Sequence, residues 1–339
     1  MKVLYVYRNQ SLGYSIAKVF HPIEEEMRRY AEVDNVYLPE AGAKPWQLWR
    51  NIKAAKLAIV AKNYDIIHIT GGEYYLIPFL SGDHKVVVTV HDLGFFTNYH
   101  LTPRTFMLYW MWIRPLRQAT CVTCISLKTM KEVKKYVSFV PGQIHTIFNP
   151  LGKEFTYQPK TFALACPIVL QIGTKSNKNL ENTILALKDF PHRLRIIGKL
   201  TKKQKTLLDI YHINYTVATG LTDEEILHEY EQCDIVSFPS LYEGFGMPII
   251  EGQAVGRVVV TSNLSPMKEI SGGAAVLVNP TDPTSILDGF QKAIAHQAEL
   301  VHAGLENVKR FKVGKIAKEY FSLYEKIVNE NYFLKHSRP

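Results

Sequence analysis

Two carboxylates, Glu243 and Glu251, bracket the passage Gly244-Phe-Gly-Met-Pro-Ile-Ile. A strand is expected to end at Phe238, and Pro248 opens an apolar run that Gly256 closes, which is the proline-first, glycine-last order of a helix. Gly244, Phe245 and Gly246 then precede a helix N-terminus, with Met247 at its start. Unpaired backbone N–H groups and the positive end of the helix dipole seat a diphosphate, or an oxygen gaining negative charge. The glycines let such a ligand reach the backbone. Carboxylates repel phosphate but accept hydrogen bonds from hydroxyls, so a sugar and a ribose flanking a diphosphate would satisfy both halves of the passage. Glu251, about one turn into the helix, leans back towards that terminus. A first-turn Glu beside a solvated Glu is common in any helix; the glycine-rich insert sets this pair apart.

A second group, Gln171-Ile-Gly-Thr-Lys-Ser-Asn-Lys-Asn-Leu180, follows another expected strand. Gly173, then Thr174, Lys175 and Lys178 ahead of a helix start, supply what diphosphate neutralisation needs: compact cations on flexible stems beside an open backbone. His91-Asp92 ends a third strand and places an imidazole where ligands of α/β sheets collect, whereas His68, inside a strand, belongs to the core. The loop after the first strand, Arg8 to Ser15, holds the single Gly13, short of the three glycines of a dinucleotide fingerprint. Cys121-Val-Thr-Cys124 reads as neither redox nor metal site, because residues three apart on a strand face opposite ways and no second pair exists. No aspartates stand as Asp-x-Asp, so no metal and no cofactor is expected.

Short β-branched or aromatic runs alternate with longer amphipathic stretches, the pattern of an α/β chain built from parallel βαβ units. Strands are expected at 3–7, 66–70, 86–90 and 120–125, and helices at 15–30, 46–62, 105–116 and 128–136. Residues 149–167, with Pro150, Gly152, Pro159 and Pro167, break the pattern. Strands resume at 168–172, 194–197, 215–217, 235–238, 258–261 and 275–278, and residues 312–330 carry a helical apolar stripe. The expected organisation is a first Rossmann-like domain over 1–150, a linker over 151–165, a donor-binding domain over 166–311, and a helix over 312–332 returning to the first domain. Two open sheets would face each other across a cleft.

Glu243-Gly-Phe-Gly-Met-Pro-Ile-Ile-Glu251 resembles the E-x7-E motif of retaining, nucleotide-sugar-dependent glycosyltransferases of the glycogen synthase-like superfamily, group 1 (family four) above all. Cys233-Asp234 to Ser240, the stretch Lys268 to Pro280 and the closing helix extend the likeness over the second half; Val90-His91-Asp92 and Cys124-Ile125-Ser126 carry it more loosely into the first. The resemblance implies a GT-B fold of two Rossmann-like domains and a hexosyltransferase-class activity, metal-independent and placed in bacterial cell-surface glycan or glycolipid synthesis. It implies that Glu243 touches the donor sugar, that Phe245 and Gly246 present N–H groups to sugar and phosphate, and that Glu251 holds the ribose hydroxyls. It gives Lys178 to the phosphates, His91 to the donor sugar, and Gly13 to a loop approaching donor and acceptor, with Ser126 and Asn149 as minor members. Many members carry arginine where this chain has Thr174; Lys175 or Lys199 is the substitute cation here.

With 339 residues, 47% hydrophobic and 21% charged, the chain can bury two cores and is not a disordered segment. Four cysteines are too few for a disulfide scaffold, and no apolar run suits a signal peptide or a spanning helix, so a cytoplasmic protein is expected. The net charge of +9 is uneven: eighteen Lys and Arg stand against eleven Asp and Glu up to Pro150, and twenty-two against twenty thereafter. The basic half and the aromatic segment Arg104 to Arg117 allow peripheral contact with an anionic membrane, and no motif points to nucleic acid. Expected partners are therefore an NDP-sugar donor and a glycan or lipid-linked acceptor. The rival readings are an NDP-sugar epimerase or hydrolase on the same architecture, and a sugar-nucleotide or anionic-lipid binding protein without turnover.

Overall fold

The computed structural model describes residues 1–13, 15–82, 84–97 and 102–329. The chain divides into two units: Met1–Pro150 joined by the segment from Val313 onward, and Leu151–Lys312.

In the first unit, β1 (Lys2–Tyr7), β2 (Glu32–Tyr37), β3 (Ile66–Ile69), β4 (Val86–Val90), β5 (Cys121–Cys124) and β6 (Ile144–Thr146) form one parallel sheet in the order β2-β1-β3-β4-β5-β6. The inner strands are nearly continuous apolar runs because helices cover both faces. Cys121 and Cys124 accordingly fall in different cores, and burial pushes the Cys121 thiol up to about 12. Helix α1 (Ser15–Met27) packs with the helix Val313–Asn329 on one face, and α2 (Pro45–Ala61) covers the other. His68 lies fully buried between the Tyr324 hydroxyl (2.5 Å) and the Thr89 hydroxyl (2.8 Å), where burial lowers its pKa to about 3 and keeps the ring neutral.

Two expectations about this unit need correction. β2 and β6 went unread because edge strands alternate or stay half-exposed and lack the apolar run of a central strand. The helix expected over 105–116 is broken into Pro103–Leu108, a π turn at Tyr109–Ile113 and a 3₁₀ turn at Arg114–Gln118. Pro115 lacks the N–H that would continue the ladder and crowds the carbonyl one turn back.

In the second unit, β7 (Ile168–Ile172), β8 (Arg193–Ile197), β9 (Tyr215–Ala218), β10 (Ile235–Phe238), β11 (Val258–Ser262) and β12 (Val276–Val278) run parallel in the order β12-β11-β10-β7-β8-β9. The chain winds outward from β7 in one direction and then from β10 in the other. The loops leaving the carboxyl ends of β7 and β10 therefore diverge, opening a crevice at the point where ligands bind such sheets. Around it stand α3 (Leu180–Leu187), α4 (Asp223–Gln232) and α5 (Met247–Val255). The expected linker differs in character from the expectation. Residues 151–165 carry no helix or strand, yet they pack on this unit, with Phe155 edge-on to Tyr230 and Lys160 paired with the buried Asp234.

Candidate functional site

Gly173 follows β7 with φ +88°, and a Cβ there would lie 2.9 Å from Cγ of Lys178. Glycine is thus required twice, by the backbone and by the lysine stem laid across it. The stem carries the Lys178 ammonium to 4.8 Å from the centre of the Phe238 ring, at the end of β10, and to 2.6 Å from Oε1 of Glu243. Asn177 donates to the Tyr242 carbonyl (3.0 Å) and to Glu243 Oε1 (3.4 Å), and Asn177 O accepts from the Leu241 N–H (2.8 Å). Asn179 takes the left-handed conformation (φ 60°) and donates from Nδ2 to the carbonyls of Pro239 (2.9 Å) and Pro280 (2.6 Å). One asparagine so ties the loops after β7, β10 and β12 together.

Helix α5 begins at Gly246, whose φ of +121° turns the chain sharply into the first turn. A Cβ at Gly246 would also stand 3.0 Å from Cδ1 of Ile249. The N–H of Met247, at the first helical position, has no acceptor inside the helix, and Pro248 has no N–H to satisfy. The Phe245 ring is buried edge-on against Phe311 (5.8 Å), so what Phe245 can offer a ligand is its backbone. Oε2 of Glu251, in the second turn of α5, accepts a 2.5 Å hydrogen bond from the hydroxyl of fully buried Tyr230 on α4. Burial, and then the adjacent carboxylate, push that phenol far above its ordinary pKa, so it stays a donor and fixes the carboxylate.

Thr174 is occupied differently from the expectation. Its hydroxyl donates to the Lys199 carbonyl (2.7 Å) and its carbonyl accepts from Gln204 Nε2 (2.8 Å), so it braces the loop after β8. Lys175 and Lys199 are exposed on the same two loops. Gly173, Lys178 and the turn from Glu243 to Met247 come together at the switch point, with Glu251 one turn along the helix.

His91 and Gly13 lie in the first unit. His91 follows β4, and its Nε2 stands 2.8 Å from the Thr70 carbonyl. A carbonyl can only accept, so Nε2 carries the proton; burial lowers the pKa, and neutral His91 offers its Nδ1 lone pair as an acceptor. Gly71 (φ +148°) makes room for the ring: a Cβ there would fall 2.6 Å from His91 Cδ2. Gly13 (φ +95°) accepts from Arg8 Nη2 at 3.0 Å through its carbonyl. Ser126 caps the helix Leu127–Lys134, and Asn149 is buried.

Four residues that the sequence reading did not single out join these sites: Asn177, Asn179, Tyr230 and Glu73. Only Asn179, next to Lys178 in a lysine–asparagine pair, had any local signal. Glu73 follows β3 and the glycines Gly71 and Gly72. Burial raises its pKa from 4.5 to about 7, against the opposing effects of a hydrogen bond to Tyr75 and the charge of Arg8. Because the folded state holds this proton more tightly, its contribution is full below about 4.5 and lost as the pH rises through about 7. Urea titrations from pH 4.5 to 8 should show the wild type losing stability relative to Glu73→Gln over that window; parallel curves would contradict the assignment.

Among the described residues no three His, Cys, Asp or Glu side chains group as a metal site requires. The profile described as Glycosyl transferases group 1 matches residues 156–311, and that described as Glycosyltransferase Family 4 matches residues 17–153. The chain belongs to the group 1 glycosyltransferases. It is 25% identical over 285 residues to the serotype-specific mannosyltransferase WbdA of Escherichia coli, covering 72% of this chain and 35% of WbdA. The O-antigen chain mannosyltransferase B of Escherichia coli is 23% identical over 298 residues, covering 78% of this chain and 76% of that one. This group 1 chain thus spans about a third of the length of WbdA. Anabaena Alr3699/HepE, solved in complex with UDP and glucose, shares the GT-B fold with a TM-score of 0.71 and 14% identity, over 94% of this chain and 98% of that one.

Proposed function

We propose that this chain transfers a sugar from a nucleoside diphosphate donor to a hydroxyl of a glycan or lipid-linked acceptor, with retention at the anomeric carbon and without a metal ion. The observation that carries this reading is the Lys178–Glu243 pair at the switch point, beside the N-terminus of α5. A sugar diphosphate needs cationic and amide donors at its bridge and acceptors at its hydroxyls, and this arrangement supplies both where the loops after β7 and β10 meet. Lys178 and the helix terminus would take the charge that develops on the departing diphosphate. Glu243 would accept from the sugar hydroxyls and Glu251 from the ribose. In the retaining step the bond from C1 to the phosphate oxygen breaks as the bond from C1 to the acceptor oxygen forms on the same face. The acceptor proton passes to the leaving phosphate.

The relatives' names, a serotype-specific mannosyltransferase and an O-antigen chain mannosyltransferase, support a surface-glycan acceptor and make an activated mannose the first donor to try. HepE, solved with UDP and glucose, supports a nucleotide-linked donor. We place the reaction in the cytoplasm, at the inner face of a membrane. No described helix is long and apolar enough to cross one, while Phe106, Met107 and Trp110 are exposed on the basic first unit.

NDP release, measured with UDP-, GDP-, ADP- and dTDP-sugars with and without candidate acceptors, tests the reading. Release that requires acceptor, and that falls in Glu243→Gln, is the expected outcome. Release without acceptor would indicate a hydrolase, an isomerised donor an epimerase, and binding without release a non-catalytic protein.

A further inference from the structure

Helix α2 is apolar on both sides. Leu48, Ala55 and Ile59 are buried against the sheet, while on the outer face Trp49 and Leu57 are each 61% exposed and Val60 is 83% exposed. A helix of this kind is ordinarily covered all round. Here, among the described residues, the outer face extends across the surface of the first unit. Lys56 Nζ lies 6.0 Å from the ring centre of Phe79, itself 50% exposed. Beneath the surface, Asn51 donates to the Tyr75 hydroxyl (2.9 Å), and Tyr75 packs edge-on against Trp112 (5.6 Å) in the broken helical segment that exposes Phe106 and Trp110. The two stretches thus cover the same side of the sheet.

Basic residues outnumber acidic ones on this surface, where Arg50 pairs with Glu40 and Lys62 with Asp34. Residues 44–62 hold five Lys or Arg and residues 102–118 hold three, with no Asp or Glu in either stretch. The cations lie on the aromatics: Lys53 Nζ is 5.3 Å from the Trp49 ring centre, and the Arg114 guanidinium is 4.2 Å from that of Trp110. Tryptophan and long basic side chains mixed on one exposed helix face fit the headgroup layer of an anionic bilayer, where the rings sit at the acyl boundary and the ammonium groups reach the phosphates. A second copy of this chain fits poorly, since pairing the face with itself would oppose cation to cation.

We infer that the outer face of α2, continued by Phe79 and the 103–113 segment, docks this chain flat on a bilayer containing anionic phospholipid. This deepens the membrane contact in the proposed function and rests on that reading only for its purpose. A 17-residue helix lying in the plane provides about 25 Å of contact.

Co-sedimentation with vesicles of phosphatidylglycerol and phosphatidylethanolamine, against vesicles of phosphatidylcholine alone, is the test. The chain should sediment with the anionic vesicles, less so as salt rises, and remain in solution with the zwitterionic ones. Lys53→Glu/Lys56→Glu should lower the partition coefficient at least about thirtyfold, each cation near the surface being worth roughly fivefold. Trp49→Ser/Leu57→Ser should lower it too, and should diminish the blue shift of tryptophan emission on binding. Because these side chains are exposed, both variants should keep the wild-type melting temperature. Failure to bind the anionic vesicles, equal binding to both kinds, or variants that bind like the wild type would each overturn the inference. So would a dimer that the variants dissociate without any vesicle binding. Donor-dependent NDP release onto a water-soluble acceptor should be the same in all three proteins; its loss in the wild type would count against the proposed function and leave the docking surface standing.

Discussion

Lys178→Ala should lower turnover by about 10²- to 10³-fold, the size of effect seen when one preorganised donor to a developing anion is removed. The lysine is fixed before any ligand arrives. Its stem crosses Gly173, its ammonium lies beside the Phe238 ring, and one of its three N–H groups is held by Glu243 at 2.6 Å. Two N–H groups remain to address phosphate oxygens, so the cation does not have to reorganise as charge develops on the leaving group. Alanine removes this stabilisation and also leaves Glu243, 14% exposed at its side chain, without the cation next to an incoming diphosphate. The two losses act through one contact, so adding Glu243→Gln to Lys178→Ala should cost less than the product of the single effects. Steady-state NDP release for the four proteins of the cycle measures this. A fully multiplicative cycle, or turnover in Lys178→Ala within about threefold of the wild type, would remove Lys178 from the role given to it.

How much of this arrangement could be read from the sequence depends on how local the physics is. The helix start at Gly246 and its end at Gly256 were legible because proline and glycine act through their own backbone. Central strands such as β4 and β10 were legible because burial on both faces demands a short apolar run rich in β-branched residues. Edge strands β2 and β6 were not, because their pairing partner supplies what their own residues do not advertise. In the site, the carboxylates and Lys178 stood out by type and spacing. Tyr230 could not, since its role comes from packing α4 against α5, 21 residues apart in sequence at the Tyr230–Glu251 contact. For Thr174 the place in the loop was legible, but the carbonyl of Lys199 that accepts from its hydroxyl was not. The 149–167 stretch, with three prolines and no period, read as a linker; its anchoring to Asp234 and Tyr230 is tertiary and leaves no periodic trace.

Glu251→Ala should weaken binding of the NDP-sugar and of the NDP product alike, by about 10- to 100-fold, the range for losing hydrogen bonds to a charged acceptor. The reasoning turns on which part of the ligand the carboxylate reaches. Glu251 sits in the second turn of α5, and the Tyr230 hydroxyl holds its Oε2 at 2.5 Å, so its reach is set by the helix rather than by a flexible loop. A group addressing the ribose meets the same hydroxyls in substrate and product, so its removal raises KM and leaves kcat nearly unchanged. Glu243, assigned to the transferred sugar, meets hydroxyls that the product no longer carries; Glu243→Gln should therefore weaken the NDP-sugar and spare the NDP. Tyr230→Phe keeps the carboxylate but removes this donor to it, and should cost about fivefold in affinity for both ligands, the worth of one ordinary hydrogen bond. Thermal shift with NDP and NDP-sugar on the three variants separates the assignments, because a ligand that binds only the folded state raises the melting temperature by an amount that grows with the logarithm of its affinity. If Glu251→Ala bound NDP as the wild type does while losing the NDP-sugar, Glu251 would belong to the sugar, and the roles given to the two ends of the motif would have to be exchanged.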